Sequence, residues 1–407
     1  MTGPPSKKAD SQRNPLANIV EPFTKAGGYY ARSWGAYLGG TRNELPVARP
    51  TLSLATHALR DELVLVGLLW KRPLSDPAAY QRINGEVEAA IDLYSRNGWL
   101  EKPQGFFSAP PVPTEVSVRK FSSRNRTHER LSFDSGYAPH PGEPGAQRWM
   151  GYTGNMREYA LMLRHREDGP QGPRPWLVCV HGTEMGRAGL DMTLFRAWHL
   201  HEKLGLNVIL PVLPMHGPRA KGLPKGAVFP GEDVMDDVHG TAQAVWDVRR
   251  VIGWIRSQQP GARIGLNSIS LGGYIAALVA SLEDDLTCAI LGVPPANLVE
   301  LLGRHSGLAK DDPRQQTLDL AKPIGRMVSP LGLEPKVPAG GRFIYAGVAD
   351  RIVHPRQQVM QLWEHWGRPD IGWYRGGHTG FFEARPVQRY VDAALVQSGL
   401  IADPDSR

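Results

Sequence analysis

Hydrophobic positions along this chain follow first one period and then another. Tyr80, Ile83, Val87, Ile91 and Tyr94 recur at spacings of three and four, which sets them on one face of a helix. The flanks agree with that period. Asp76 can cap, Pro77 fits the first turn and Gly98 suits a left-handed residue after the last turn, so a helix is predicted from Asp76 to Gly98. The whole stretch from about residue 16 to 100 reads as helical, and its apolar stripe is expected to pack on the rest of the chain as an added layer rather than to form a catalytic domain.

A proline-rich loop, Pro103 to Pro113, leads into alternation that starts near Thr114. Val116, Val118, the apolar positions of Arg130 to Phe133, and Tyr159 to Leu163 read as early strands suited to antiparallel pairing. The Pro/Gly-rich segment Tyr137 to Gly145 between them is expected to be a surface loop. Beyond it, short apolar runs alternate with helical segments: Pro175 to His181, Leu206 to Val212, Arg263 to Asn267, Leu286 to Val293, Arg342 to Gly347 and Ile371 to Tyr374. That alternation predicts an α/β fold, a mostly parallel sheet with helices on both faces. The helix before the Arg263 run carries an inner stripe of Val234, Val238, Ala242, Val245, Val248, Ile252 and Ile255. Acids Glu232 and Asp233 sit at its start and Arg249, Arg250 and Arg256 toward its end. Asp236 and Asp237 are expected to be solvated in its first turns. The expected division is a flexible tail at 1–15, a helical extension and linker at 16–113, and a main domain at 114–401. An insertion at 294–338, with helical pieces at Leu298 to Leu302 and Leu318 to Met327, is placed like a cap.

Composition narrows the function only a little. Of 407 residues, 41% are hydrophobic and 21% charged, an ordinary globular balance that argues against disorder and against membrane spanning. The net charge of +7 is spread over the whole length without a dense basic run among aromatics. It reads as a positive surface, and nucleic acid is not an expected partner. Cys179 and Cys288, the two cysteines, each lie in an apolar run and are expected to be buried thiols in a reducing compartment. The first residues lack the apolar core of a secretory signal, and the run from Leu63 to Trp70 is too short to cross a bilayer. A cytoplasmic location is expected. His199 and His201 are spaced for opposite sides of a helix, and no phosphate loop or dinucleotide fingerprint occurs, so neither a metal nor a cofactor is expected.

The chemistry gathers in Arg263-Ile264-Gly265-Leu266-Asn267-Ser268-Ile269-Ser270-Leu271-Gly272-Gly273-Tyr274, a strand, a tight turn and a helix. Such a turn strains the residue at its tip and needs small neighbours two positions to either side. Ser270 meets that demand, with Ser268 and Gly272 around it. Ser268 as the tip would put bulky Leu266 where a small residue is needed. A serine nucleophile needs a base to take its proton and a carboxylate to hold that base. Asp350 follows the Arg342 run in a turn, and His378 follows the Ile371 run among glycines.

These motifs resemble those of the α/β-hydrolase superfamily. Ser268 stands where the family's nucleophile elbow, G-x-S-x-G, usually has its first glycine. Gly347 to Pro355 matches the G-x-x-D-x-x-V-x-P spacing of its acid loop, and Ser270, Asp350 and His378 come in the family's order of nucleophile, acid and histidine. His181-Gly182-Thr183 is similar to the family's H-G-x turn. The resemblance implies an oxyanion hole formed by the backbone N–H groups of Thr183 and Leu271, each contributing on the order of 3 kcal/mol to transition-state stabilisation. It implies a serine esterase acting on a small-molecule ester or acyl substrate through an acyl-enzyme. His181, His216 and Arg219 are candidate pocket residues, with His181 better suited to supporting its loop. Acyl transfer, thioester cleavage and a non-catalytic interaction protein on the same scaffold remain alternatives. A homo-oligomer is neither implied nor excluded.

Overall fold

The computed structural model describes residues 15–38, 46, 49–71, 77–123, 126–169, 172–309 and 311–403. The expected tail, apart from Pro15, and the Asp76 cap lie outside them. Among the described residues one sheet runs through the molecule. Its strands are β1 (Ser117–Ser123), β2 (Arg126–Asp134), β3 (Arg157–Leu163), β4 (Trp176–Val180), β5 (Asn207–Pro211), β6 (Ile264–Ile269), β7 (Leu286–Gly292), β8 (Arg342–Gly347) and β9 (Asp370–Tyr374). They lie in the order β1-β2-β3-β5-β4-β6-β7-β8-β9. β1, β2 and β3 are antiparallel neighbours, and β3 pairs antiparallel with β5. From β5 to β9 every pairing is parallel.

The apolar runs became the central strands because both of their faces are covered. Every residue of β4, β5 and β6 is buried, as parallel strands between two helical layers require. Alternate side chains feed two cores. Trp176, Val178 and Val180 of β4 join the helices Val234–Gln258 and Leu271–Leu282 on one face. Leu177 and Cys179 point to the other, against Met192, Leu200 and the helix Arg385–Gln397. Cys179 and Cys288 are buried free thiols.

Three helices precede the sheet: α1 (Pro15–Leu38), α2 (Leu52–Lys71) and α3 (Pro77–Arg96). The α3 stripe is buried at Ile83, Val87, Ala90 and Tyr94 and is continuous with the main core. The helix stops where predicted. Gly98 takes φ 69°, and the Trp99 amide folds back to the Tyr94 carbonyl at 2.9 Å.

Two expectations are corrected at this junction. The segment Tyr137 to Gly145 is no free surface loop: Tyr137 and Glu143 are buried, and Glu143 accepts from the Tyr94 hydroxyl at 2.6 Å and the His140 amide at 2.6 Å. Asp236 and Asp237 are buried rather than solvated, because the first turn of their helix faces neighbouring loops. Asp236 accepts from Arg148 and the Tyr152 hydroxyl, both at 2.9 Å, and Asp237 from the Gly231 amide at 2.7 Å. Arg148 also pairs with Glu86 of α3 and with Asp233, so one guanidinium ties α3 to the main body.

The segment between β7 and β8 is helical, as expected, in three pieces: Leu298–Ser306, Pro313–Leu320 and Lys322–Met327. Thr317 of the second piece donates to Asn84 of α3 at 3.0 Å. The insertion and the first helices thus meet above the sheet. Among the described residues no helix is long and apolar enough to cross a membrane.

Because α3 shares the main core, Ile83→Ala should lower the stability of the whole molecule by about 2–5 kcal/mol. Denaturant unfolding followed by far-UV circular dichroism is the check. Loss of a minor early transition with an unshifted main midpoint would show that α3 folds apart.

Candidate functional site

β6 ends at Ile269 and the next helix begins at Leu271, so Ser270 must turn the chain alone. It does so at φ 56° and ψ −121°, a region that non-glycine residues enter only at a cost of a few kcal/mol. Neighbouring backbone holds it there: the Ser270 amide donates to Gly292 at 2.8 Å, and the Gly273 amide to Ser270 at 2.7 Å. The turn also needs Gly272. A Cβ at that position would stand 2.0 Å from the Val180 carbonyl oxygen. Ser268 has a different occupation, being buried in the sheet with its hydroxyl on the Ile290 carbonyl at 3.1 Å.

Asp350 and His378 come to this turn from the ends of β8 and β9. Nε2 of His378 lies 2.9 Å from Ser270 Oγ and Nδ1 lies 2.7 Å from Asp350 Oδ2. The other Asp350 oxygen accepts from the amides of Ile352 at 2.9 Å and Val353 at 2.7 Å. With Nδ1–H given to the carboxylate, Nε2 is left as the acceptor facing the serine hydroxyl. Burial alone would lower the pKa of His378, but the charge of Asp350, its hydrogen bond and the charge of Asp61 outweigh it and hold the imidazole above its ordinary value. The arrangement can therefore take a proton from Ser270 and stabilise the imidazolium that results.

The loop after β4 passes close by. A Cβ on Gly182 would stand 3.2 Å from that of Ser270, and Thr183 and Leu271 both border the same cavity as Ser270 and His378. Leu271 opens its helix, so its amide has no partner four residues back. The cavity has a volume of about 530 Å³ and is walled mainly by apolar side chains. Leu298 and Leu301 come from the insertion, Val64 and Leu65 from α2 and Tyr80 from α3. The first helices are more than an added layer, since they close one side of this space.

His181, His216 and Arg219 do not line it, which corrects the expectation for them. His181 is wholly buried, accepts the Leu213 amide on Nε2 at 3.0 Å and gives Nδ1–H to the Gly182 carbonyl at 2.8 Å. Burial drives its pKa down to about 3, so it braces the 182–183 loop as a neutral ring. His216 is buried with Nδ1 2.8 Å from the Pro214 carbonyl. Arg219 is buried between Glu158 of β3 and Asp247, with Nη2 2.8 Å from the latter. Its place in the segment Leu213 to Arg219 after β5 suggested a pocket role, but its length carries the charge back into the frame. His199 and His201 also part company, the first lying 3.0 Å from Asp392 and the second 2.9 Å from the Leu206 carbonyl. Among the described residues no three His, Cys, Asp or Glu side chains gather as a metal site.

One residue at the site was missed altogether. Asp61 of α2 is wholly buried and accepts the His378 amide at 2.6 Å and the Arg351 amide at 3.0 Å. A trace of it exists in the sequence: Leu54, Ala58, Asp61 and Leu65 share one helical face and are all buried. A carboxylate inside an apolar stripe needs partners from elsewhere.

No family model matches the chain. Two relatives do: uncharacterized proteins MT2702 and Rv2627c of Mycobacterium tuberculosis, strains CDC 1551 / Oshkosh and ATCC 25618 / H37Rv. Each is 64% identical over 389 residues, covering 96% of this chain and 93% of its own length. Among solved structures, Acetyl Xylan Esterase 1 from Thermoanaerobacterium sp. JW/SL YS485 aligns over 75% of this chain and 93% of its own, with a TM-score of 0.52 and 16% identity. An acetyl xylan esterase from Paenibacillus sp. R4 aligns over 72% and 92% with the same score and identity. At that identity the likeness is one of fold.

The Arg219 cluster can be tested apart from the cavity. Arg219→Leu strands two buried carboxylates and should cost about 3–5 kcal/mol of stability, read as a fall in the denaturation midpoint. A folded variant of unchanged midpoint that had lost affinity for substrate would restore Arg219 as a pocket residue.

Proposed function

We propose that this chain, which belongs to one family with the two Mycobacterium tuberculosis proteins and has the α/β-hydrolase fold, is a serine hydrolase that cleaves carboxylic esters. The observation that carries the reading is the continuous hydrogen-bonded path from Asp350 through His378 to Ser270 at the foot of an apolar cavity. Ser270 Oγ attacks the ester carbonyl while Nε2 of His378 takes its proton, and Asp350 keeps the imidazole in the tautomer that can do so. The amides of Thr183 and Leu271 donate to the oxyanion. The tetrahedral adduct collapses, the alcohol leaves with the proton from Nε2, and an acyl group stays on Ser270. Water, deprotonated by the same nitrogen, then releases the acid and restores the serine.

The walls suggest which esters. Leu298, Leu301, Val64 and Leu65 can receive an apolar acyl or aryl group, and each methylene buried there contributes about 0.8 kcal/mol. The strained Ser270 turn supports the same reading, since backbone strain of this kind persists where surrounding structure enforces it and gathers at functional sites.

A fluorophosphonate probe should label the wild type and leave Ser270→Ala unlabelled, with kcat on an active ester falling by roughly 10⁶-fold in that variant. Folded wild type that takes no label would overturn the reading. Across p-nitrophenyl esters from acetate upward, kcat/KM should climb by about fourfold per added methylene until the cavity is filled. A maximum at acetate would assign the cavity another purpose. Only neutral His378 can accept the serine proton and its pKa is raised, so kcat/KM should decline on the acid side at a pH above that of an ordinary histidine. A limb at or below the ordinary value contradicts the charge environment described above.

A further inference from the structure

We propose that Asp61, reaching in from α2, is a positioning residue that holds the backbone of His378 while Asp350 holds its side chain. The inference rests on the serine hydrolase reading for its kinetic tests. Its structural content stands separately.

The geometry is that of a clamp. One carboxylate oxygen of Asp61 accepts the His378 amide at 2.6 Å and the Arg351 amide at 3.0 Å, and the other lies 3.4 Å from the Thr379 amide. Two loops are tied by one side chain: that after β8, next to Asp350, and that after β9, at His378. Neither loop has a strand or long helix to fix it, so its place depends on such ties. Gly377 shows how close the approach is. A Cβ there would stand 2.5 Å from Asp61 Oδ2, although φ of −86° suits any residue. The glycine before His378 therefore makes room for the carboxylate and serves no unusual backbone angle.

Glu62 and Tyr29 strengthen the same junction. The Arg351 guanidinium lies 2.9 Å from Glu62 and stacks over the Tyr29 ring, while the Tyr29 hydroxyl donates to the Val348 carbonyl at 3.3 Å. With that guanidinium taken by Glu62, the ties to Asp61 are backbone amides. A neutral side chain could accept such bonds without the desolvation cost of a buried charge. What an ionised Asp61 adds is a negative field at His378, which favours the imidazolium formed when Ser270 gives up its proton. The groups facing it are Asp350, His378, Tyr29 of α1 and Tyr374 of β9, with His57 one turn earlier on α2 against Gly380. Burial, then the charge of Asp350, pushes the Asp61 carboxyl up to about 6, so it is ionised at neutral pH.

The same helix touches the proposed substrate. Val64 and Leu65, three and four residues on, wall the cavity. The helix that bounds the acyl site and the carboxylate that holds the base are one rigid piece.

The test compares wild type with Asp61→Asn and Gly377→Ala in the full chain. Asp61→Asn keeps an acceptor and removes the charge. Its kcat on the best p-nitrophenyl ester should fall roughly tenfold to a hundredfold with KM nearly unchanged, since the negative field that favours the imidazolium acts on the transition state alone. The acid limb of its pH profile should move to lower pH, because a charge that favours the imidazolium is gone. Gly377→Ala, which pushes the carboxylate off the loop, should reproduce the fall in kcat. NMR titration of the His378 imidazole should find it losing its proton at lower pH in Asp61→Asn. That measurement needs no turnover, so it decides the role of Asp61 even if no ester is cleaved, an outcome that would sink only the hydrolase reading. Wild-type kcat, pH limb and imidazole titration in folded Asp61→Asn would overturn the proposal. Should Asp61→Asn fail to fold, Gly377→Ala decides: a folded, fully active protein overturns it and a folded protein of depressed kcat upholds it.

Discussion

The molecule depends on one close crossing of backbone. The helix that follows Ser270 runs so near the end of β4 that no side-chain carbon fits at Gly272, where the Val180 carbonyl stands 2.0 Å from the place a Cβ would take. That contact forces the whole reversal into Ser270 and raises its hydroxyl clear of the sheet. It also brings the start of a helix against the loop after β4, so Thr183 and Leu271 border the same cavity as Ser270. Were the crossing looser, Ser270 could relax from its strained angles.

Around that point, burial sorts the charged residues by whether they reach the cavity or the frame. Arg219 lies in a short turn of the segment after β5, yet its guanidinium runs back between Glu158 and Asp247 and contributes to the frame. Asp350, short and on a tight turn, meets His378 with one carboxylate oxygen and accepts the Ile352 and Val353 amides on the other. His181 lies beside the proposed oxyanion loop and is held neutral by burial, which suits a brace and disqualifies it as a shared base. α2 adds a further charge, Asp61, on the backbone amide of His378. The fold alone leaves such choices open, because activity resides in the residues set on the scaffold.

Much of this was legible in advance for a local reason. The apolar runs marked β4 to β9 to within one or two residues, because β4 to β8 are buried parallel strands that need mostly apolar residues, and the edge strand β9 keeps Ile371, Trp373 and Tyr374. The Ser270 turn was legible because its strain demands small neighbours in the sequence itself, and Asp350 and His378 because glycines and a strand precede each in the required order. The errors have a common cause as well. Asp236, Asp237 and the 137–145 segment looked solvated because polar residues at a helix start or a loop usually are. The 137–145 segment and Asp236 are buried because α3 and Arg148 lie over them, a relation between segments distant along the chain, while Asp237 turns back to the Gly231 amide.

By itself the order of residues determined the periodicities, hence the alternating strands and helices, and the strained serine turn with its two distant partners. Only the folded chain decided what covers that turn. Asp61 lies 317 residues from His378, so no spacing rule links them. The packing of α2 against the loops after β8 and β9 makes a solitary acid in an apolar stripe part of the site. The cavity walls likewise come from α2, α3 and the insertion together. Local chemistry sets which groups a turn can present, whereas which remote surface closes over them follows from how the layers pack.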